Sequence, residues 1–430
     1  MERFGKRLVR AARPRTLESE LAAQSPILSL HERAEAMFES YGPPEAGVTV
    51  VQTYGYVELE YAAIRKGCVL LDLPTRGTIT VTGADRLAFL DRMVTQELKG
   101  WEPMTSKQSF WLNRKGRIDA DLRLLQLNDA VLMDVDIHAA ARACETLPSY
   151  AVMDDVAITN ESAAWHRLAL HGPAAAKLLD SISTPTATNA GAALADIAPG
   201  QVSRVVIAGK EVVVDRLDSA GEIGLELCCR TEDVVAVYTA ILDRGSHPPD
   251  GEKLTFRPGG WAAYNIARIE AGTPMYYLDF GPDSLPAETG MLKQRVSFTK
   301  GCYLGQEIVA RLHSLGHPKQ QLVAIDLAIG DQTFAAADGT QDATGDLPRQ
   351  PITGSFIYPA ATTAETMSTT EPVGAVTSAT LSPMLGNKPV CFAMVKYKSS
   401  SPGTGLMVDC ESTLVPGTVR ETLAFVQRGH

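Results

Sequence analysis

The chain has no run of about 18 apolar residues, so no membrane span is expected. Its seven cysteines (68, 144, 228, 229, 302, 391 and 410) are odd in number and form no Cys-x-x-Cys pair, which argues against a zinc ribbon or redox dithiol. They read as reduced intracellular thiols, and the vicinal pair Cys228-Cys229, which ends an apolar run, reads as packing. There is no GxGxxG, no Walker loop, no HExxH and no GxSxG. No basic stretch is interleaved with aromatics, and a net charge of −10 with a pI near 5.4 disfavours a nucleic-acid partner. Residues 1–24 are arginine-rich but include Glu2, Glu18 and Glu20 and lack a long apolar core. They are not a secretory signal; an amphipathic or disordered arm is expected, with a transit peptide as the alternative. A soluble, cytoplasmic monomer is the expectation.

What is present is ordinary globular material. The 430 residues, 45% hydrophobic and 21% charged, suffice for two to four compact units. Residues 28–40 read as a helix stopped by Gly42-Pro43-Pro44. Short strands and helices then interleave: strands near Val69–Leu73 and Thr78–Val81, a helix from Gly83, and a hairpin turning at Asn113-Arg-Lys-Gly116. A second, similar block begins at Trp165. Many hairpins make α+β the expected class, not a doubly wound parallel sheet. The divisions expected are an arm and helix at 1–45, a body at 46–320 in two related parts (46–160 and 161–320), and a small C-terminal β-barrel at 321–430. Residues 331–372 are rich in Ala, Thr, Gly, Asp and Pro and read as a flexible insertion in that barrel.

The stretch Phe298 to Arg311 holds the thiol of most interest. Val296 and Phe298 alternate with polar neighbours like a half-buried strand, Lys300-Gly301 breaks the pattern, and Cys302 then falls on a turn followed by Gly305. Two readings stand. A neighbouring cation such as Lys300 lowers a thiol's pKa and favours the reactive thiolate, with Glu307 opposing; alternatively, Cys302 is a small buried hydrophobe. His313 and His317 lie near it in sequence, but three candidate ligands without a fourth leave metal as a weak signal, and no metal is assigned.

Several stretches, in order, resemble landmarks of the aminomethyltransferase superfamily, the T-protein of glycine cleavage and its relatives. They are Leu71-Asp-Leu, Ile79 to Leu90, Asn113 to Leu122, Gly221 to Glu226, Arg268 to Pro274 and Val373 to Pro383. Within it, Lys300-Gly301-Cys302-Tyr303-x-Gly305-Gln306-Glu307 is similar to the signature of YgfZ-type folate-binding proteins, which support assembly or repair of iron-sulfur enzymes. The resemblance implies a folate-binding body of two related subdomains with a C-terminal barrel around a central cavity, and tetrahydrofolate as cofactor. It implies Asp121 as a catalytic carboxylate at the folate N10 region, where it can accept an N–H or hold a proton. Glu226 would accept two N–H bonds from the pterin edge, and Arg268 would contribute to the same site unless a local acid claims it. Cys302 would supply a thiolate near the cavity mouth, supported by its motif neighbours. Iron-sulfur assembly factors or client enzymes are the implied partners. Two departures from the T-protein pattern stand out. Ala120 replaces one of two adjacent acids, and Ala263-Tyr264-Asn265 replaces Ala-Arg-Asp. A true aminomethyltransferase and a non-catalytic interaction module remain the alternatives.

Overall fold

The computed structural model describes residues 24–43, 47–186, 194–249, 253–328 and 349–426. Two stretches fold by the same recipe. In the first, strand Arg76–Thr82 and helix Arg86–Met93 precede a meander of Thr105–Leu112, Ile118–Gln126 and Val131–Asp136, then helix Ile137–Thr146. In the second, Trp165–His171 and helix Ala175–Asp180 precede Val202–Ile207, Lys210–Arg216 and Gly224–Arg230, then helix Val234–Ser246. In both, the last meander strand pairs antiparallel with the first strand of its block. The five-stranded sheet closes with Ala157–Asn160; the seven-stranded one adds Ser183–Pro185 at one edge and Cys68–Asp72 and Phe256–Pro258 at the other. The chain is α+β.

Strand alternation explains the layering. Along Ile118–Gln126, Ala120 and Leu124 enter a core with Ile79, Phe89 and Trp111, whereas Asp121 and Arg123 face the other way, toward the second block. Val205, Ile207, Val212, Val214, Leu225 and Leu227 alternate likewise into a second core beneath helix Val234–Ser246. Each such side chain withdrawn from water contributes roughly 1.5–3 kcal/mol before the entropy of ordering is subtracted.

The barrel closes from six strands, Gln320–Leu327, Lys388–Lys396, Gly374–Ser382, Phe356–Pro359, Gly405–Cys410 and Thr413–Val419. Part of the stretch expected to be flexible, 331–348, lies outside the described residues. The remainder, 349–372, contributes the strand Phe356–Pro359, because Ile357 and Tyr358 bury against the barrel. Two apolar residues in a Thr- and Pro-rich context give too short a period to read. The expected helix over 28–40 is also corrected. It stops at Arg33, Glu35 turns at φ 55°, and Met37–Tyr41 pairs antiparallel with Val48–Thr53. The expected strand at 296–298 does not form: helix Leu292–Arg295 ends there, and Ser297 N–H bonds Thr95 O at 3.0 Å. The expected arm at 1–24 lies outside the described residues except Gln24. No helix among the described residues is long and apolar enough to cross a membrane.

Candidate functional site

Where the two blocks face each other, they enclose a cavity of about 310 Å³. Its polar wall is built from facing strands and cross-linked by buried arginines. Arg123 of the first block pairs with Asp215 and, at 3.2 Å, with Glu226 Oε1 of the second. Arg167 of the second reaches back to Asp134 of the first at 3.2 Å, where Arg76 also binds at 2.9 Å. Burial alone would raise the Asp134 carboxyl, but Arg167 and Arg76 hold it below its ordinary range. On the adjoining strand, Asp72 bridges His166 (2.5 Å) and His31 (3.0 Å); they outweigh its desolvation and hold it well below the carboxylate range.

Asp121 and Glu226 both line this cavity. Asp121 accepts from Arg295 Nε at 2.9 Å, and the same guanidinium bonds Gln108. Glu226 is 8% exposed, and its second oxygen, Oε2, is buried with no hydrogen-bond partner among the described residues. Trp261, Tyr264 and Tyr276 supply flat apolar faces, with Tyr264 fixed by Ser219 at 2.9 Å and Tyr276 by the Asp119 carbonyl at 2.9 Å. The position that lacks an acid, Ala120, is fully buried on the opposite face of its strand, so the cavity keeps the carboxylate that points into it. Tyr264, by contrast, changes the cavity wall itself.

Arg268 does not line the cavity. It is fully buried and binds Asp279 (2.5 Å), Asn265 Oδ1 (2.9 Å), the Thr273 carbonyl (3.2 Å) and Ser378 Oγ (2.6 Å). Asp279 in turn accepts from Thr377 and Ser378, two adjacent barrel residues that a strand irregularity turns the same way. The arginine therefore fastens barrel to body.

The thiol turn lies outside the cavity lining. Cys302 is exposed; Cys144 is half-buried, and the other five thiols are buried. The Lys300 ammonium is turned inward, donating to the carbonyls of Asp91 (2.5 Å), Val94 (3.0 Å) and Gln96 (2.9 Å) and pairing with Asp91 Oδ1 at 3.2 Å. Burial pushes its pKa down, and its charge is committed to that cage instead of the thiol. Tyr303 packs with Phe110 and Leu112, its hydroxyl pushed up to about 12 by burial. Gly301 is open to solvent. Gly305, at φ 82°, lies against the Asn113 carbonyl, where a Cβ would approach to 2.7 Å; it seats the turn on the Asn113–Gly116 hairpin. Gln306 begins the helix Gln306–Leu315, and Glu307 is exposed in its first turn. His313 stacks on Phe298 and His317 on Tyr397, and among the described residues no three His, Cys, Asp or Glu are grouped to hold a metal. Arg76, Arg123, Arg167, Asp134 and Arg295 escaped the sequence reading. The alternation of Asp121 and Arg123 was the one local signal.

A duplicated α+β body around a polar cavity, latched to a β-barrel, defines the aminomethyltransferase class of folds. Family comparison agrees: residues 28–300 match the GCVT N-terminal domain, and residues 357–425 match the glycine cleavage T-protein C-terminal barrel domain. The chain belongs to this family. It is 28% identical over 410 residues to the aminomethyltransferase of Cutibacterium acnes, covering 94% of this chain and 98% of that one. It is 26% identical over 409 residues to that of Halalkalibacterium halodurans, covering 95% and 99%. The crystal structure of glycine cleavage system aminomethyltransferase T from Bartonella henselae superposes with a TM-score of 0.76 at 21% identity, over 95% of this chain and 99% of that one.

Proposed function

We propose that the cavity binds a reduced folate of the tetrahydrofolate type and that the protein uses it to transfer a one-carbon unit, as an aminomethyltransferase-type enzyme. Glu226 carries the reading. One carboxylate oxygen is held by Arg123 and the other is unpartnered, which suits an aminopyrimidinone edge presenting parallel N–H donors. The aromatic faces of Trp261 and Tyr264 suit a flat heterocycle. When bound, a reduced folate supplies the nitrogen that accepts the one-carbon unit. Asp121 would hold a proton at, or accept a hydrogen bond from, that nitrogen, and Arg295 orients its carboxylate. The reading is supported by family membership and by Asp121, the cavity-facing acid that this chain retains. The test is calorimetric titration with 5-formyltetrahydrofolate. Glu226→Ala should weaken binding roughly 10- to 100-fold, since a hydrogen bond to a charged group is worth about 1.5–3 kcal/mol. Equal affinity in the variant would defeat the pterin assignment.

A second reading, support of iron-sulfur enzyme assembly or repair, is favoured by Cys302. It is the exposed thiol, on a turn outside the cavity, where an assembly factor or client enzyme has access. Cys302→Ala should fail to restore iron-sulfur enzyme activities in a deletion strain. Full restoration sinks this role and leaves the first reading standing.

A further inference from the structure

A second concavity, about 370 Å³, shares no lining residue with the central cavity. It lies at the end of the Thr105–Leu112/Ile118–Gln126 hairpin, between the Asn113–Gly116 turn and helix Ile137–Thr146, with Leu304 of the thiol turn on one side.

Its walls carry three cations. Asn113 Oδ1 accepts from the backbone N–H groups of Lys115 (2.9 Å) and Arg117 (3.2 Å), which locks the turn and presents Arg114 and Lys115 at the rim. The Arg114 guanidinium sits 5.9 Å from the Tyr150 ring centroid, against a wall that limits its motion. Neither Arg114 nor Lys115 has a carboxylate partner among the described residues. Arg142 is the third cation. The one acid in the lining, Asp119, is buried and already bonded through Oδ1 to Arg142 (2.8 Å) and Asn113 Nδ2 (3.1 Å). At the inner wall is Trp111, 1% exposed, whose buried indole Nε1 has no hydrogen-bond partner among the described residues. A buried donor left unpaired is costly.

We propose that this concavity binds an oxyanion, the phosphate or carboxylate group of a small ligand. Two rim cations without carboxylate partners and a third held on its own acid converge there, in front of the buried Trp111, in a chain whose net charge is −10. The space suits a group the size of pyrophosphate or a short glutamyl tail, and arginine's planar fork matches either oxyanion. This site does not depend on what the central cavity holds.

The full chain is titrated calorimetrically at low salt with inorganic pyrophosphate and, separately, with triglutamate. Wild type should bind one or both with a Kd of roughly a millimolar or tighter, and binding should weaken as salt rises. Preference for pyrophosphate identifies phosphate as the source, and preference for triglutamate identifies carboxylate. Arg114→Ala/Lys115→Ala should bind about tenfold or more weakly, as expected for loss of two charge-assisted contacts. Both side chains are exposed, so the unfolding midpoint should not move. No binding of either probe by wild type, or undiminished binding by the double variant, overturns the proposal.

Discussion

Asp279→Ala should destabilise the protein by several kilocalories per mole, although Asp279 does not itself line the cavity. The Asp279 side chain is fully buried against Arg268, which is itself fully buried, at 2.5 Å. It also accepts from Met275 N (2.9 Å), Thr377 Oγ1 (2.8 Å) and Ser378 Oγ (2.6 Å). Removing it leaves a guanidinium uncompensated in the interior, a change that costs about 3–5 kcal/mol, and strips two hydroxyls of their acceptor. Asp279→Asn keeps an acceptor oxygen and should cost roughly half as much. Arg268→Met combined with Asp279→Leu removes the orphan charge and should recover most of the loss, giving a strongly non-additive cycle. The assay is urea unfolding of the full chain. All four tryptophans (101, 111, 165 and 261) lie outside the barrel, so fluorescence reports the body and far-ultraviolet circular dichroism reports everything. In the alanine variant the dichroism transition should begin before the fluorescence one, as the barrel comes loose. A cost below about 1 kcal/mol, or an Arg268→Met variant that loses folate affinity while keeping its stability, would refute the latch and return Arg268 to ligand binding.

Two further outcomes follow from buried groups. Desolvation pushes the His171 pKa from its ordinary 6.5 down to about 4, with Asp218 opposing only in part. Between those values the unfolded chain holds a proton that the folded one refuses, so stability should fall as pH drops from 6.5 to 4, by about 3 kcal/mol from this group alone. His171→Gln should flatten that limb of the unfolding free energy, and an unchanged slope would show that His171 is not responsible. Ala120→Asp restores the T-protein pattern, yet its side chain would enter the core of Ile79, Trp111 and Leu124. It should cost roughly 3 kcal/mol or more in thermal or urea unfolding and raise no transfer activity; a stable, more active variant would mean that residue 120 faces the cavity.

The parts legible in the sequence were those written at short range. The Asn113–Gly116 hairpin, the valine-rich strands and the repetition of one block by another all show in turn residues and period-two alternation. Family resemblance named Asp121 and Glu226, both of which line the cavity, and alternation put Arg123 on the same face as Asp121. The frame that holds those carboxylates was not legible, because Arg295 and Asp121 are 174 positions apart. The partner of Arg268 was not legible for a similar reason: of the two openings left for it, a ligand or a local acid, the structure shows an acid 11 residues on, beyond the Gly-Thr-Pro break. Lys300 and Cys302 show the converse error. Two residues apart in sequence, they point to different places, one into a carbonyl cage and one to solvent.

Under the proposed function, the pairing of the lining acids decides what kind of ligand fits the cavity. Most of the carboxylates in the lining are already satisfied by a neighbouring cation, histidine or hydroxyl. Asp134 is held by Arg76 and Arg167, Asp121 by Arg295, Asp72 by two histidines, Asp218 by Arg216, and Asp136 by Tyr41. Glu226 Oε2 is a buried acceptor with no hydrogen-bond partner among the described residues. A metal cation would have to break one of these pairs to gather ligands, and an anion would meet six carboxylates against three arginines. A neutral, flat ring with N–H donors on one edge meets neither penalty: it satisfies Glu226, leaves the arginine frame intact and buries its faces against Trp261 and Tyr264.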